Sequence, residues 1–81
     1  MITKEDLRDW FKRGVKKNYT HMIIVCDHFD YSDYPVYVGK HQNVRLIENE
    51  YDHKEMQSVM EVYNLKLDME KQLNEHRSFN Y

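Results

Sequence analysis

The stretch Thr20-His21-Met22-Ile23-Ile24-Val25-Cys26 constrains this chain more than any other, being nearly continuous in apolar residues with three β-branched ones in a row. Such a run reads as a central strand. Strand side chains alternate, so Ile23 and Val25 face one way while Met22, Ile24 and Cys26 face the other. Both faces then need cover, from helices on each side or from another subunit.

The flanking segments supply candidates for that cover. Thr3 and Asp6 form a variant capping box that starts a first helix, along which Leu7, Trp10, Phe11 and Val15 recur at three- and four-residue spacing. Gly14 lies on that stripe and permits close packing. Lys12, Arg13, Lys16 and Lys17 fall in the last turns, where the helix dipole favours cations, and Asn18 closes the end. We read these cations as a solvated, dipole-matched face in preference to a phosphate-binding patch.

After the central strand, Asp27 to Tyr34 reads as a polar loop. Pro35 then opens a second, antiparallel strand, Val36-Tyr37-Val38, closed by Gly39. Asn43 caps a helix of about two turns carrying Val44, Ile47 and Tyr51 at helical spacing. The segment from Glu55 to Leu67 supports two readings. Met56, Val59, Met60, Tyr63 and Leu67 share a helical face, whereas Tyr63, Leu65 and Leu67 alternate as in a strand; a strand over residues 58 to 66 is preferred. Asp68 caps a last helix through Leu73 to His76, with Phe79 and Tyr81 trailing.

The expected architecture is α+β, a small three-stranded, largely antiparallel sheet with about three helices in the order α, β, β, α, β, α. Residues 1–81 form a single domain, because no repeat, low-complexity tract or long linker interrupts them. A chain of 81 residues holds one core and buries roughly 60 to 65% of its unfolded surface. No apolar run approaches the ~20 residues of a membrane span, and the start Met1 to Asp6 lacks the basic-then-apolar order of a signal peptide. Cys26 is the single cysteine, which excludes an internal disulfide and fits a reducing cytoplasm. Twelve Lys and Arg against fourteen Asp and Glu generate no strong net field, so direct nucleic-acid or membrane binding is not expected.

Aromatic content is more telling. Seven Tyr, three Phe and one Trp exceed what one small core readily hides, which implies a ring-bearing binding or assembly surface. The segment Asp27-His28-Phe29-Asp30-Tyr31-Ser32-Asp33-Tyr34 interleaves three aspartates with three rings, and loops carry function more often than cores do. In the plainer interpretation its aspartates cap turns and its rings pack onto the sheet. In the functional one, Phe29, Tyr31, Tyr34 or Tyr37 offers flat faces to a base, sugar or partner side chain. Asp27, Asp30 and Asp33 have the oxygen chemistry of a divalent-cation site, but their spacing does not fit the calcium loop, so no cofactor is assigned. A phosphate would be repelled by these carboxylates unless Arg45 and Arg77 intervened.

Other chemistry is thinly represented. None of His21, His28, His41, His53 and His76 is paired at the spacing that sets two metal ligands on one helical face. Cys26 at the end of a buried strand reads as a small apolar residue, and Ser32, Ser58 and Ser78 lie in no nucleophile-elbow pattern. With only two glycines, a phosphate-cradling glycine loop is excluded, and no catalytic residue is assigned. Glu75, His76 and Arg77 form a polar cluster that reads as a solvated helix end.

Tyr19-Thr20-His21-Met22-Ile23-Ile24-Val25-Cys26-Asp27, with Phe29-Asp30-Tyr31 and Asp33-Tyr34-Pro35-Val36-Tyr37-Val38, resembles a widespread family of small, uncharacterised bacteriophage and prophage proteins. The likeness continues in Met56-Gln57, in Val59-Met60-Glu61-Val62-Tyr63, and in Glu75-His76-Arg77 with Phe79. That family often has Thr where this chain has His28, which weakens a metal role there. The resemblance supplies a setting and not a mechanism; within it, the ring excess, the strand needing cover on both faces and the missing catalytic motifs lead us to expect a phage accessory protein of the host bacterial cytoplasm that binds without covalent chemistry. It would inhibit a host or defence protein, or sequester a signalling nucleotide, as a homo-oligomer. Its contact residues would be Asp27, Phe29, Asp30, Tyr31, Asp33, Tyr34 and Tyr37, with Arg45, His76 and Arg77. The alternatives are a small metal-dependent hydrolase built on Asp27, Asp30 and Asp33, and a purely structural or regulatory module.

Overall fold

The computed structural model describes residues 2–81; Met1 lies outside the described residues. The elements follow the expected order: α1 (Lys4–Lys16), β1 (His21–Asp27), β2 (Ser32–Val38), α2 (Val44–Asp52), β3 (Gln57–Asn64) and α3 (Met69–Leu73). The strands form one antiparallel sheet in the order β2-β1-β3, which places the apolar run at its centre.

Each helix begins where a side chain accepts from orphaned amides. Thr3 and Asp6 close a reciprocal capping box on α1, Asn43 accepts from Arg45 and Leu46, and Asp68 accepts from Lys71. α1 ends in a Schellman motif. Asn18 takes φ 63°, its amide donates to Val15 O and the Tyr19 amide donates to Gly14 O.

The two faces of β1 are covered differently. Met22 and Ile24 pack with Leu7, Phe11, Tyr63, Leu65 and Leu73 beneath α1 and α3. Ile23 and Val25 pack with Val38, Val59 and Val62, and are covered by the half-buried Val44, Ile47 and Tyr51 of α2. Helices on both sides thus supply the cover within one chain. Gly14 lets α1 approach closely, since a Cβ there would stand 2.7 Å from both Leu65 Cδ1 and Tyr37 Cε1.

The segment with two readings is a strand, and its helical look has a physical cause. The pairing of β1 with β3 shifts register between Ile24 and Val25, inserting an extra β3 residue at Met60. That bulge lets Val59 and Val62, three apart, face the same core. β3 runs over 57–64, slightly earlier than the expected 58 to 66. α3 stops at Leu73 instead of reaching His76, because residues 78–80 turn back along the outer edge of β3. There the Val62 amide donates to Ser78 O and the Asn80 amide to Val62 O. β2 also begins earlier than Pro35, at Ser32, so Asp33 and Tyr34 pair with Cys26 and Val25. Pro35 sits on an edge strand, where it has no amide to offer an approaching chain.

Candidate functional site

The β1–β2 hairpin turns in only four residues, His28 to Tyr31, and carboxylates brace both sides of the turn. Asp27 Oδ1 accepts from the Phe29 amide at 2.8 Å; Asp30 Oδ1 accepts from the Ser32 amide at 3.0 Å and the Ser32 hydroxyl at 2.7 Å. These are Asx turns, in which a short side chain replaces a backbone partner. The Ser32 hydroxyl, then its amide, hold the Asp30 carboxyl below its ordinary range. On the β3 side, the His28 amide donates to Met56 O at 2.7 Å, and His28 Nε2 shares a 2.7 Å hydrogen bond with Ser58 Oγ. The tip is therefore pinned to both neighbouring strands.

On this braced turn the rings point outward. Phe29 is 83% exposed and Tyr31 75%, and Met56 beside them is half exposed. Tyr31 and Met56 both occupy left-handed backbone, at φ 58° and 64°. That region suits glycine and is uncommon for bulky side chains, whose Cβ crowds the following carbonyl. Each costs stability where a glycine would not.

The other rings of the segment turn inward. Tyr34 packs half-buried against the α2-side core, and burial raises its hydroxyl pKa. Tyr37 stacks on Tyr19 at 5.0 Å, donates from its hydroxyl to Trp10 O at 2.7 Å, and is likewise raised by burial.

The aspartates do not share one face. Asp33 lies opposite Cys26 on β2 and Asp27 opposite Ser32, so the alternation of strand side chains sends Asp27 and Asp33 to opposite sides of the sheet. No group of three His, Cys, Asp or Glu converges among the described residues. Burial first, and the Asp33 carboxylate second, raise the Cys26 thiol pKa and keep it protonated near neutral pH.

Arg45 and Arg77 engage rings of the C-terminal segment, not those of the tip. Arg45 sits 4.0 Å above the Tyr81 ring on α2, while Arg77 takes φ 65° outside β3, 5.5 Å from the Phe79 ring. His76 is exposed in the turn after α3.

Two features went unread in the sequence. Gln72, 2% exposed, uses its whole amide: Nε2 donates to Asn64 O and Asp68 O, and Oε1 accepts from the Asn64 amide and Asn80 Nδ2. Its signal was a polar residue on the apolar stripe of Met69 and Leu73. The second is a groove of about 350 Å³ at the end of the sheet away from the tip, lined by Val15, Tyr19, Thr20, Leu65, Lys40 and Lys66. Its signal was charge segregation. Residues 10–26, 34–47 and 62–67 contain no Asp or Glu, whereas 27–33 contain three Asp and no Lys or Arg. The topology brings Lys40 and Lys66 of the first set to the groove end, whereas the three Asp lie at or beside the tip.

No helix among the described residues is long and apolar enough to cross a membrane. Comparison with protein-family models, with curated proteins and with solved structures found no match to this chain.

Proposed function

We propose that this chain is a phage-type accessory protein that acts by non-covalent binding, with the hairpin tip as its contact surface and a cationic protein surface as its target. In the setting implied by the sequence resemblance, that target belongs to a host or anti-phage defence protein, and binding inhibits it. The observation that carries the reading is Tyr31, a large ring exposed on backbone that glycine would occupy with less strain. A side chain held out at a cost to the fold serves something other than the fold. Phe29 supplies a second exposed face, and Asp30 sets a carboxylate between the two rings in sequence. Ring faces attract guanidinium and ammonium groups, and the carboxylates add long-range attraction for them. The same carboxylates disfavour a phosphate at the tip, which places the protein target ahead of a nucleotide.

The test is affinity capture from infected or lysogenic cells with the parent chain and with Phe29→Ala/Tyr31→Ala, followed by cross-linking mass spectrometry. A partner retained by the parent, lost by the variant and cross-linked near the tip through its own Lys- or Arg-rich surface supports the reading. A partner held equally by both removes the tip from the account.

A further inference from the structure

The two ends of this molecule are complementary to each other. The tip presents Phe29 and Tyr31 with Asp30, and no Lys or Arg occurs between residues 27 and 33. At the opposite end, Lys40 and Lys66 face a groove floored by Val15, Tyr19 and Leu65, and Lys16 and Lys17 lie in sequence between its lining residues Val15 and Asn18. A groove of about 350 Å³ lies at the small end of the range for ligand sites and has room for aromatic side chains. Its apolar floor suits a ring, and its lysines suit a carboxylate beside that ring.

We infer that the occupant of this groove is the hairpin tip of a second copy of the same chain. Phe29 or Tyr31 of one copy lies on Val15 and Leu65 of the next, and Asp30 meets Lys40 or Lys66. The tip and the groove sit at opposite ends of one chain, so the contact is head-to-tail and leaves each docked pair with one free tip and one free groove. Such contacts propagate into rings or open chains instead of closing as two-fold dimers. The inference rests on the reading of the tip as a binding surface. It adds that self-docking and capture of a foreign partner compete for the same rings.

Sedimentation equilibrium tests it with the parent chain, a tip variant (Phe29→Ala/Asp30→Ala/Tyr31→Ala) and a groove variant (Lys40→Glu/Lys66→Glu), each first shown by circular dichroism to be folded. The parent's average mass should rise with concentration, and its association should weaken about tenfold or more between about 0.05 and about 0.5 M salt, as screened charge contacts do. Each variant alone should be monomeric. An equimolar mixture should form a dimer and nothing larger, because it contains one intact tip, one intact groove and no way to propagate.

A parent chain that is monomeric throughout overturns the inference, and leaves the capture experiment to judge the tip separately. Association that survives in either variant, or a mixture that fails to dimerise while the parent assembles, also overturns it by assigning the contact to another surface. A monomeric parent that binds ATP through Lys40 and Lys66 would show that the groove takes a phosphate instead.

Discussion

Tyr31 and Tyr37 lie six positions apart on the same hairpin and are used in opposite ways. Tyr37, in the body of the sheet, stacks on Tyr19, bonds to the Trp10 carbonyl and fills the space that Gly14 leaves open. Tyr31, at the tip, stands in solvent on left-handed backbone. In the body a ring stabilises the fold by burying area; at the tip the backbone gives up stability to hold a ring away from it. Aromatic excess in a small chain is thus not one signal but two, separated by whether the strand alternation or the turn sets the direction of the side chain.

That contrast can be broken by substitution, most severely in the body. Tyr63 is fully buried, makes an edge-to-face contact with Phe11 at 6.4 Å, and has its hydroxyl pKa pushed well up by burial. Tyr63→Ala should cost about 3–5 kcal/mol in urea unfolding, approaching the whole stability of a domain this small. Tyr37→Ala, at a half-buried ring, should cost about 2–3 kcal/mol, part of it from leaving the Trp10 carbonyl without its hydroxyl donor. Tyr31→Ala should change the unfolding free energy by no more than about 0.5 kcal/mol. A cost at Tyr31 equal to that at Tyr37 would erase the distinction between body and tip.

Acid sharpens the comparison at the tip. The folded-state pKa of Asp30 lies below its ordinary value of 3.8. Its bonds to Ser32 therefore add stability that is fully present above that value and is lost as pH falls through the depressed one. Amide exchange at Phe29 to Ser32 should speed up on acidification below about pH 4, relative to β1 amides and after correction for intrinsic rates. Asp30→Asn should remove most of that dependence. Unchanged relative protection down to acid unfolding would mean that the Asx turn does not brace the tip.

The order of elements was legible because its signals are local. The apolar run at residues 20–26, the box at Thr3 and Asp6, and the caps at Asn43 and Asp68 each act within a few residues of their position. What escaped depended on distant partners. Val59 and Val62 looked helical because a bulge against β1, invisible without the pairing, brings them to one face. The loop was read as 27–34 because Asp33 and Tyr34 are turn-like in type, yet pairing with Cys26 and Val25 draws them into β2. Gln72 looked like an ordinary helix residue, but folding brings Asn64 and Asn80 to its amide.

At the candidate site, residue types singled out the segment but not the division of its rings between tip and sheet. With only two glycines in the chain, neither at positive φ, left-handed turns had to fall on other residues. Nothing local marked Tyr31 and Met56 as the ones to bear them.

The most direct test is Tyr31→Gly, read by urea unfolding and by partner capture on the same preparation. Relief of the left-handed strain should leave the unfolding free energy unchanged or raise it by up to about 1 kcal/mol, while capture falls to background. A glycine variant that unfolds more easily by about 1 kcal/mol or more, or one that holds its partner as tightly as the parent, would contradict a ring kept at the tip for recognition.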